Sequence, residues 1–359
     1  MGKEFADGIR MDSHKLIYHV DRVNDWLKGR LIYPIFMDVS PTNACNHRCI
    51  FCGLDFAHGK PSYLDPVIFD KAVKDASARG LKSIMFAGEG EPLLHTGLKT
   101  MISRTKSRGV DCALATNGAL MDELFLKASL RHLTWVRVSV DAGTASTYAR
   151  IHTARKEDFT RVLGNIEKAV RIKKKNALKV TIGVQFLLLK ENAAEAVKLA
   201  SILSGMGVDY LAVKPYSKHP LSSNDAGTEI NYSGMLFLEG KLNRFSKKGF
   251  NVIFRKNTML KRSKAKSYER CLGLPFWAYI SADGEVYPCH TFLGIKKMSF
   301  GNINELSFRK IWEGGKRAKV MKYLTTKMDA GKCREMCRLD EMNAYLWKLA
   351  HPHPHVNFI

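Results

Sequence analysis

Apolar and polar positions along this chain alternate between strand-like and helix-like patterns from residue 35 to about residue 216. Short apolar runs predict buried strands, and the amphipathic stretch after each run predicts a helix. The predicted strands occupy residues 35–40, 82–88, 111–118, 135–143, 179–189 and 210–216. Strands joined by helical crossovers form a parallel sheet, so the pattern predicts an α/β fold, either an open partial barrel or a doubly wound sheet.

The alternation ends after residue 218, and the rest of the chain has a different character. A loop is predicted for residues 219–234, then a helix near residues 234–247 and a strand at residues 250–254. The sequence therefore predicts four segments. They are an N-terminal extension (1–34), the main α/β domain (35–220), a basic connector (221–264) and a small cysteine-containing domain (265–359).

The charge of the chain favours an anionic partner. The formal net charge is +23, and residues 241–270 hold eleven Lys and Arg residues against the single acid Glu269. Such an excess suits a phosphorylated small molecule, a nucleotide sugar, RNA or an acidic surface, although a solvated basic face remains an alternative. RNA binding is not expected, because the sequence has neither aromatic platforms nor a known RNA-binding module.

The cysteine content points to metal rather than disulfides. The chain starts with a polar, mixed segment and has no run of the roughly 18–20 apolar residues that a membrane span needs. A cytoplasmic location is therefore expected, where thiols stay reduced. Clustered cysteines in such a protein more often bind metal than pair with each other.

Three of the eight cysteines lie in one short motif directly after the first predicted strand. Cys45, Cys49 and Cys52 have the spacing CX3CX2C, at the strand end where parallel βα folds build their active sites. Iron–sulfur clusters usually take four cysteines, so three leave one iron open. A zinc site completed by His47 or His58 is the alternative.

Residues 45–52, Cys-Asn-His-Arg-Cys-Ile-Phe-Cys, resemble the signature of the radical S-adenosylmethionine (SAM) superfamily, including the aromatic Phe51. In that family the open iron binds the amino and carboxylate groups of the methionine moiety. An electron from the cluster breaks the S–C5′ bond, and the 5′-deoxyadenosyl radical removes hydrogen from a substrate. The resemblance implies a [4Fe–4S] cluster, SAM and an external reductant such as flavodoxin or ferredoxin.

Further motifs at strand ends strengthen this resemblance. Residues 88–92, Gly-Glu-Gly-Glu-Pro, resemble the family's GGEP motif with Glu89 in place of its first glycine. Thr116-Asn117-Gly118 ends the third predicted strand, and Ser139-Val140-Asp141 ends the fourth, where the family places polar contacts to the ribose. The resemblance covers roughly residues 35–220 and implies the family's partial (β/α)6 barrel. The implied cofactor contacts are Phe51, Glu89, Gly90, Glu91, Pro92, Asn117, Ser139, Asp141, His152, Arg155 and Gln185, with His152 or Arg155 near the methionine carboxylate.

A second cysteine set lies in the C-terminal segment, at Cys271, Cys289, Cys333 and Cys337. The first pair flanks a predicted hairpin that turns at residues 283–284, and the second pair is predicted at the start of a helix. The spacing alone suits either a structural zinc or a [4Fe–4S] cluster. The pattern resembles the Twitch module, the short relative of the SPASM extension of radical enzymes. That resemblance implies one auxiliary [4Fe–4S] cluster, used for electron transfer or structure.

Three residues are candidates for the substrate side. Lys214 and Tyr216 share a parity at the end of the sixth strand, where barrel strands present side chains to a ligand. Cys112 starts the third strand and is expected to face the helices as an inert thiol; the alternative is a hydrogen-atom donor to a substrate radical.

The resemblance favours radical oxidation or epimerisation at a carbinol carbon of a sugar, cyclitol or nucleotide-linked sugar, as in carbohydrate biosynthesis. A peptide-modifying maturase is a rival, weakened because the segment before the first strand is short for a peptide-binding domain. An RNA-modifying enzyme is a second rival. A binding protein with two structural zinc sites is a third.

Overall fold

A computed structural model describes residues 13–226, 230–261 and 265–358. Within these ranges ten strands form one sheet in the order β10-β9-β8-β1-β2-β3-β4-β5-β6-β7. The strands are β1 (Phe36–Val39), β2 (Ser83–Phe86), β3 (Asp111–Thr116), β4 (Leu133–Ser139), β5 (Thr181–Leu188), β6 (Tyr210–Pro215), β7 (Asn251–Phe254), β8 (Trp277–Ile280), β9 (Glu285–Tyr287) and β10 (Gly301–Asn302).

One helix precedes β1, further helices connect the barrel strands, and the last three lie in the C-terminal segment. They are α1 (Val20–Leu27), α2 (Pro66–Ser77), α3 (Leu98–Ser107), α4 (Glu123–Ser129), α5 (Ala145–His152), α6 (Lys156–Lys175), α7 (Ala196–Met206), α8 (Leu238–Asn243), α9 (Lys256–Leu260), α10 (Phe308–Glu313), α11 (Gly315–Thr326) and α12 (Asp340–Ala350). Local sequence explains their starts. The carboxylate of Asp65, for example, accepts the backbone N–H groups of Val67 and Ile68 and caps α2, which has Pro66 in its first turn.

Strands β1 to β6 are neighbours in chain order, and every adjacent pair is parallel. This arrangement confirms the six predicted strands and the partial barrel. Strand β7 pairs in parallel with β6 and extends the sheet by the strand that was predicted at residues 250–254.

The C-terminal segment joins the same sheet at its other edge. Strand β8 pairs in parallel with β1, and β9 returns antiparallel to β8. Gly284 has a φ of +86° in the turn between them, which confirms the predicted hairpin. One detail of the prediction was wrong: Cys333 and Cys337 do not start a helix but lie in a loop, and α12 begins only at Asp340.

The two faces of the barrel strands have different surroundings. One face is fully buried under the helices and includes Met37, Ile84 and Leu114. The alternate positions point into the lumen, where Met85 and Ala113 pack near the side chain of Trp135. The deeper part of the lumen is therefore lined by apolar side chains, and the lumen opens toward the carboxyl ends of the strands.

Candidate active site

The first cysteine set lies on the loop after β1, at the carboxyl end of the barrel. Backbone hydrogen bonds fix this loop to the end of α5: Arg48 N–H donates to the carbonyl of His152 (3.2 Å) and Ile50 N–H to that of Ile151 (3.0 Å). The loop is thus supported by the element that follows the fourth strand, which is distant in sequence.

The environment of the three thiols fits an iron–sulfur cluster. Burial raises the pKa of Cys45 to about 11, and burial together with Cys52 raises that of Cys49 well above its usual range. Burial also raises the pKa of Cys52. Uncompensated thiolates at this spacing would repel one another in a poorly solvated site. Bound iron supplies the positive charge that removes this cost, so the donor set suits a cluster with one open iron.

His152 lies behind the cysteine loop rather than in the open cavity. Its Nε2 accepts the backbone N–H of Asp141 (3.3 Å), and its Nδ1 is 3.4 Å from Sγ of Cys49. Burial lowers the pKa of His152 to about 3, so the ring is neutral and Nδ1 carries the proton. His152 therefore presents an N–H group to a cysteine sulfur, which corrects its predicted contact with the methionine carboxylate.

The other candidate for the methionine carboxylate is also placed elsewhere. Arg155 precedes α6, and its backbone N–H donates to the Asp158 carboxylate (3.2 Å). Its side chain is not part of the cavity lining. Arg155 is instead exposed at the N-terminus of α6.

Histidines near the triad offer the nitrogen ligands of the zinc alternative. Candidate ligand atoms of His47, Cys49 and His152 lie within 4.8 Å of one another. His58 Nε2 lies 3.9 Å from Sγ of Cys52 and 3.1 Å from the carbonyl of Glu89. Both arrangements use a cysteine of the triad, so they compete with the cluster for its ligands rather than form a separate site.

The Gly-Glu-Gly-Glu-Pro segment packs its backbone against the chain that enters the cysteine loop. Gly90 N–H donates to the carbonyl of Thr42 (3.0 Å), and Glu91 N–H to that of Ala44 (2.8 Å). A Cβ atom at position 90 would lie 2.0 Å from the Ala44 oxygen, so only glycine permits this approach. The motif is therefore a backbone platform beside the cluster loop.

The carboxylate of Glu91 organises the ends of two strands. It accepts the hydroxyl of Thr116, the backbone N–H of Asn117 (2.7 Å) and that of Leu93 (3.1 Å), and Pro92 begins the short helix that follows. The side chain of Asn117 then donates to Oδ1 of Asn46 in the cysteine loop (2.8 Å). Glu91 and Asn117 thus hold the frame of the site and lie outside the cavity lining.

Glu89 connects this platform to the C-terminal hairpin, a role that the sequence did not reveal. Its Oε1 accepts the hydroxyl of Tyr279 (3.1 Å) and the backbone N–H of Ala282 (3.2 Å). Burial raises the pKa of Glu89 to about 7. The residue that departs from the GGEP motif therefore joins the two cysteine-bearing parts of the molecule.

A cavity of about 830 Å³ opens from the barrel lumen toward the C-terminal segment. It brings together predicted residues from three barrel strands, β4, β5 and β6, and from both cysteine sets. Its lining includes Phe51, Cys52, Ser139, Asp141, Gln185, Lys214, Tyr216 and Cys337. Burial raises the pKa of Asp141 to about 7, although its Oδ1 accepts the backbone N–H of Leu187.

The second cysteine set gathers four thiols in the C-terminal segment. Burial raises the pKa of Cys289 to about 12 and that of Cys337 to about 11, and the charge of neighbouring cysteines adds to both shifts. Cys271 is affected in the same way. Leu339 N–H donates to Sγ of Cys337 (3.3 Å). Four converging thiols suit a closed cluster with no open iron.

Cys112 is not placed to donate a hydrogen atom to a substrate radical. Its side chain is fully buried on the helix side of β3, and its Sγ lies 3.6 Å from the carbonyl oxygens of Ile102 and Val110. Burial raises the pKa of this thiol to about 12. This placement agrees with the expectation that Cys112 faces the helices and does not support the alternative of a hydrogen-atom donor, because strand alternation turns its side chain away from the lumen.

The sequence prediction identified Lys214 but missed the arginines of the lumen. Arg137 lies two residues before Ser139 on β4 and lines the same cavity, as do Arg255, Arg334 and Arg338. An arginine at a lumen-facing parity inside the apolar run WVRVS was a signal that could have identified Arg137. The three other arginines follow loops whose course the sequence pattern does not specify.

Comparisons with known proteins agree with this site. The model of the radical SAM superfamily matches residues 39–203, and that of the SPASM iron–sulfur cluster-binding domain matches residues 271–338. The chain belongs to the radical SAM superfamily and carries a C-terminal SPASM-type domain. It binds a [4Fe–4S] cluster and SAM in the barrel, and auxiliary iron–sulfur chemistry resides in the C-terminal domain.

Two curated relatives illustrate the range of this similarity. A tungsten-containing aldehyde ferredoxin oxidoreductase cofactor-modifying protein of Pyrococcus furiosus is 28% identical over 76% of this chain and 78% of its own length. A probable GTP 3′,8-cyclase of Saccharolobus solfataricus is 27% identical over 48% of this chain. The chain spans only 53% of that second relative.

Solved structures share the fold. SuiB of Streptococcus suis, bound to its precursor peptide SuiA, aligns with a TM-score of 0.67 at 15% identity, covering 94% of this chain and 78% of SuiB. The enzyme anSMEcpe with bound AdoMet aligns with a TM-score of 0.58 at 20% identity, covering 86% of this chain and 88% of its own. None of the helices in the described ranges has the length and apolar character of a membrane span.

Proposed function

We propose that this radical SAM enzyme oxidises, or else epimerises, a carbinol carbon of a small anionic sugar, cyclitol or nucleotide-linked sugar. One observation carries the proposal: Cys52 of the first set and Cys337 of the second set border the same cavity. A substrate in that cavity lies between the two cluster sites. In this arrangement the substrate can lose a hydrogen atom on the side of the first cluster site and an electron on the side of the second.

When bound, the clusters and SAM supply the radical that removes the hydrogen and the acceptor for the electron that oxidation releases. The protein residues bind and orient. We assign Ser139, Asp141 and Gln185 to the SAM hydroxyl groups, because they line the cavity at the ends of β4 and β5. Lys214 and Tyr216 are assigned to the substrate; the Tyr216 hydroxyl is oriented by donating to Oδ1 of Asn224 (2.7 Å).

The thiols of the cavity favour oxidation over epimerisation. An epimerase needs a hydrogen-atom donor on the opposite face of the substrate. Among the described residues that line the cavity, Cys52 and Cys337 are the cysteines present, and each belongs to a cluster site. Cys112 is buried outside the lumen. Oxidation needs no such donor, whereas epimerisation would need a tyrosine of the lining, Tyr210 or Tyr216, to act as one.

A second candidate is modification of an organic cofactor by the same radical chemistry. The Pyrococcus relative is described as a cofactor-modifying protein, and the similarity extends over 76% of this chain. Peptide modification is a weaker candidate, since the likeness to the peptide-bound SuiB is one of fold at 15% identity. An external flavodoxin or ferredoxin and a cytoplasmic location remain part of the proposal.

The test uses anaerobically reconstituted protein, SAM and a reductant with a panel of sugar phosphates, cyclitols and nucleotide sugars deuterated at their carbinol carbons. We expect deuterium to appear in 5′-deoxyadenosine and the product to be a ketone, lighter than its deuterated substrate by the mass of HD. Cys49→Ala protein is the control and should form neither product.

Two outcomes would contradict the oxidation. A product of inverted configuration, still an alcohol and carrying hydrogen in place of the carbinol deuterium, would support the epimerase. Turnover of an organic cofactor or a peptide, with none of the panel consumed, would refute the carbinol substrate altogether.

A further inference from the structure

Basic side chains from four separate elements line one part of the cavity. They are Arg137 on β4, Lys214 on β6, Arg255 after β7 and Arg338 in the loop before α12. These residues are far apart in sequence, and the fold brings their side chains together in the lumen of the partial barrel. Their mutual proximity shows in Lys214, whose pKa is lowered well below its usual range by burial and then by Arg137, Arg338 and Arg255.

The pairing of these cations is incomplete. Arg338 Nη1 donates to the Asp38 carboxylate (2.8 Å). Over residues 13–226, 230–261 and 265–358, neither the Arg137 guanidinium nor the Lys214 ammonium forms a hydrogen bond or an ion pair. The guanidinium carbon of Arg137 lies 5.1 Å from the centre of the Trp135 ring, which supports its position without neutralising its charge.

Half-buried basic groups without partners are costly to keep charged in a folded protein, and the lowered pKa of Lys214 reflects that cost. Removing a charged group from water is unfavourable by several kcal/mol unless an opposite charge or hydrogen bonds compensate. The nearby carboxylate of Asp141 does not fully compensate the positive charge, because burial raises the pKa of Asp141 to about 7 and so disfavours its ionised form. A ligand that carries negative charge removes the penalty and gains charge-assisted hydrogen bonds.

The depth of Arg137 in the lumen determines the direction from which it can contact a ligand. Arg137 lies deeper in the lumen than Ser139 and Asp141, because it precedes Ser139 on β4 and Asp141 just beyond the end of that strand, and shares their parity. Its guanidinium can offer a planar fork of N–H donors from below, and Lys214 can offer a point charge from the rim. A phosphate or carboxylate group suits such a pair.

We propose that Arg137 and Lys214 bind an oxyanion group of the substrate, a phosphate ester or a carboxylate, inside the barrel lumen. This inference rests on the proposed function, because it assigns a substrate-recognition element to the same cavity. It makes Arg137 and Lys214 specificity determinants: neutral sugars and cyclitols are poor substrates, and their phosphorylated or carboxylated counterparts are good ones.

Calorimetric titration of the reconstituted protein with inorganic phosphate and, separately, with malonate tests the site directly. We expect saturable binding of one probe, and the preferred probe identifies the oxyanion. Arg137→Gln and Lys214→Gln should each weaken that binding by about tenfold or more, since each removes a charge-assisted contact. Arg137→Lys should restore part of the loss. Lys248→Gln, which removes a charge from the exposed connector, is the matched control and should change nothing.

These measurements distinguish a failure of the oxyanion site from a failure of the proposed function. Equal binding of both probes by wild type and both glutamine variants, each with full iron content and an unchanged melting temperature, would overturn the inference. Displacement of the bound probe by SAM would also overturn it, because the cations would then serve the methionine carboxylate. Protein that binds phosphate but never releases 5′-deoxyadenosine would refute the proposed function and not the oxyanion site.

Discussion

The two cysteine sets face the same cavity but are built in opposite ways. Cys45, Cys49 and Cys52 lie on a single loop, are half-buried and present three ligands. The second set draws four ligands from separate stretches, of which Cys271 and Cys289 are buried and Cys333 and Cys337 are half-buried. A loop with three ligands leaves an iron open for chemistry, whereas a set of four closes its cluster. The first set is therefore the one that can bind SAM at an open iron, and the second is suited to a fully ligated auxiliary cluster.

The ways in which the two sets are supported also differ. The first depends on close backbone contacts, such as that between Gly90 and the carbonyl of Thr42. The second receives hydrogen bonds from neighbouring groups, such as the Asn343 amide to Sγ of Cys271 (3.5 Å). Glu89 links the two regions through Tyr279 and Ala282. Substitutions at these supports should therefore have different and separable effects.

The largest difference is expected from removing one ligand of the first set. Cys49→Ala should lose one of the two clusters, so iron should fall from about eight to about four atoms per chain. Release of 5′-deoxyadenosine should fall by at least about a thousandfold, because the open iron is lost with the cluster. Iron assay and chromatography of the anaerobic reaction measure both. Protein with zinc and no iron would contradict the assignment of either set.

The matching change in the second set should give a different pattern. Cys337→Ala should also halve the iron content, but it removes the closed cluster. Substrate oxidation should fall by about a hundredfold or more, while cleavage of SAM should decrease far less. The ratio of 5′-deoxyadenosine to oxidised product therefore rises. An equal loss of both activities would mean that the second set serves structure and not electron transfer.

Gly90→Ala tests the backbone platform beside the first set. The added Cβ would lie 2.0 Å from the Ala44 oxygen, so the segment or the cysteine loop must move. We expect a loss of about 3 kcal/mol in the free energy of unfolding, together with weaker SAM binding. Urea denaturation and SAM titration measure the two effects.

Gly59→Ala is the matched control, because a Cβ atom at position 59 meets nothing within 4 Å. It should leave both the stability and the SAM affinity within experimental error of wild type. A Gly90→Ala protein that behaves like this control would disprove the close packing of the platform against the loop.

Sequence patterns predicted the regular parts of the molecule well. The six barrel strands, the hairpin at residues 283–284 and the burial of Cys112 follow from local periodicity and turn chemistry, which the surrounding fold does not override. The triad was recognisable because its three ligands lie within one loop. The distribution of the second set over two distant pairs still allowed zinc until the family resemblance was considered.

Local sequence patterns could not predict the roles of residues whose contacts join distant parts of the chain. Glu89 looked like a tolerated departure from a motif, yet its carboxylate reaches a hairpin almost two hundred positions later. His152 was assigned to SAM, and its ring instead lies against Cys49. The cations of the lumen come from four elements, so no single segment reveals that they converge. Such residues are found only when strand register and loop paths are known.

The smallest expected effect concerns the Glu89 link between the two regions. Burial raises the pKa of Glu89 to about 7, above its ordinary value of 4.5, so the folded protein favours the protonated acid. The associated stability is present below about pH 4.5 and is lost as the pH rises through about 7. At most this amounts to about 3 kcal/mol. Glu89→Gln keeps an acceptor for Tyr279 and Ala282 but does not titrate. We therefore expect the variant to match wild type near about pH 5 and to exceed its stability near about pH 8.

Urea midpoints measured anaerobically at both pH values test this expectation. Asp141, whose pKa is also raised to about 7, titrates in both proteins, so the informative quantity is the difference between variant and wild type at each pH. Glu305→Gln, which changes an exposed carboxylate, is the control and should follow the wild-type profile. Parallel profiles for Glu89→Gln and wild type would mean that the Glu89 carboxylate is ionised in the folded protein. The link between the cluster platform and the hairpin would then be an ordinary charge-assisted contact, insensitive to pH in this range.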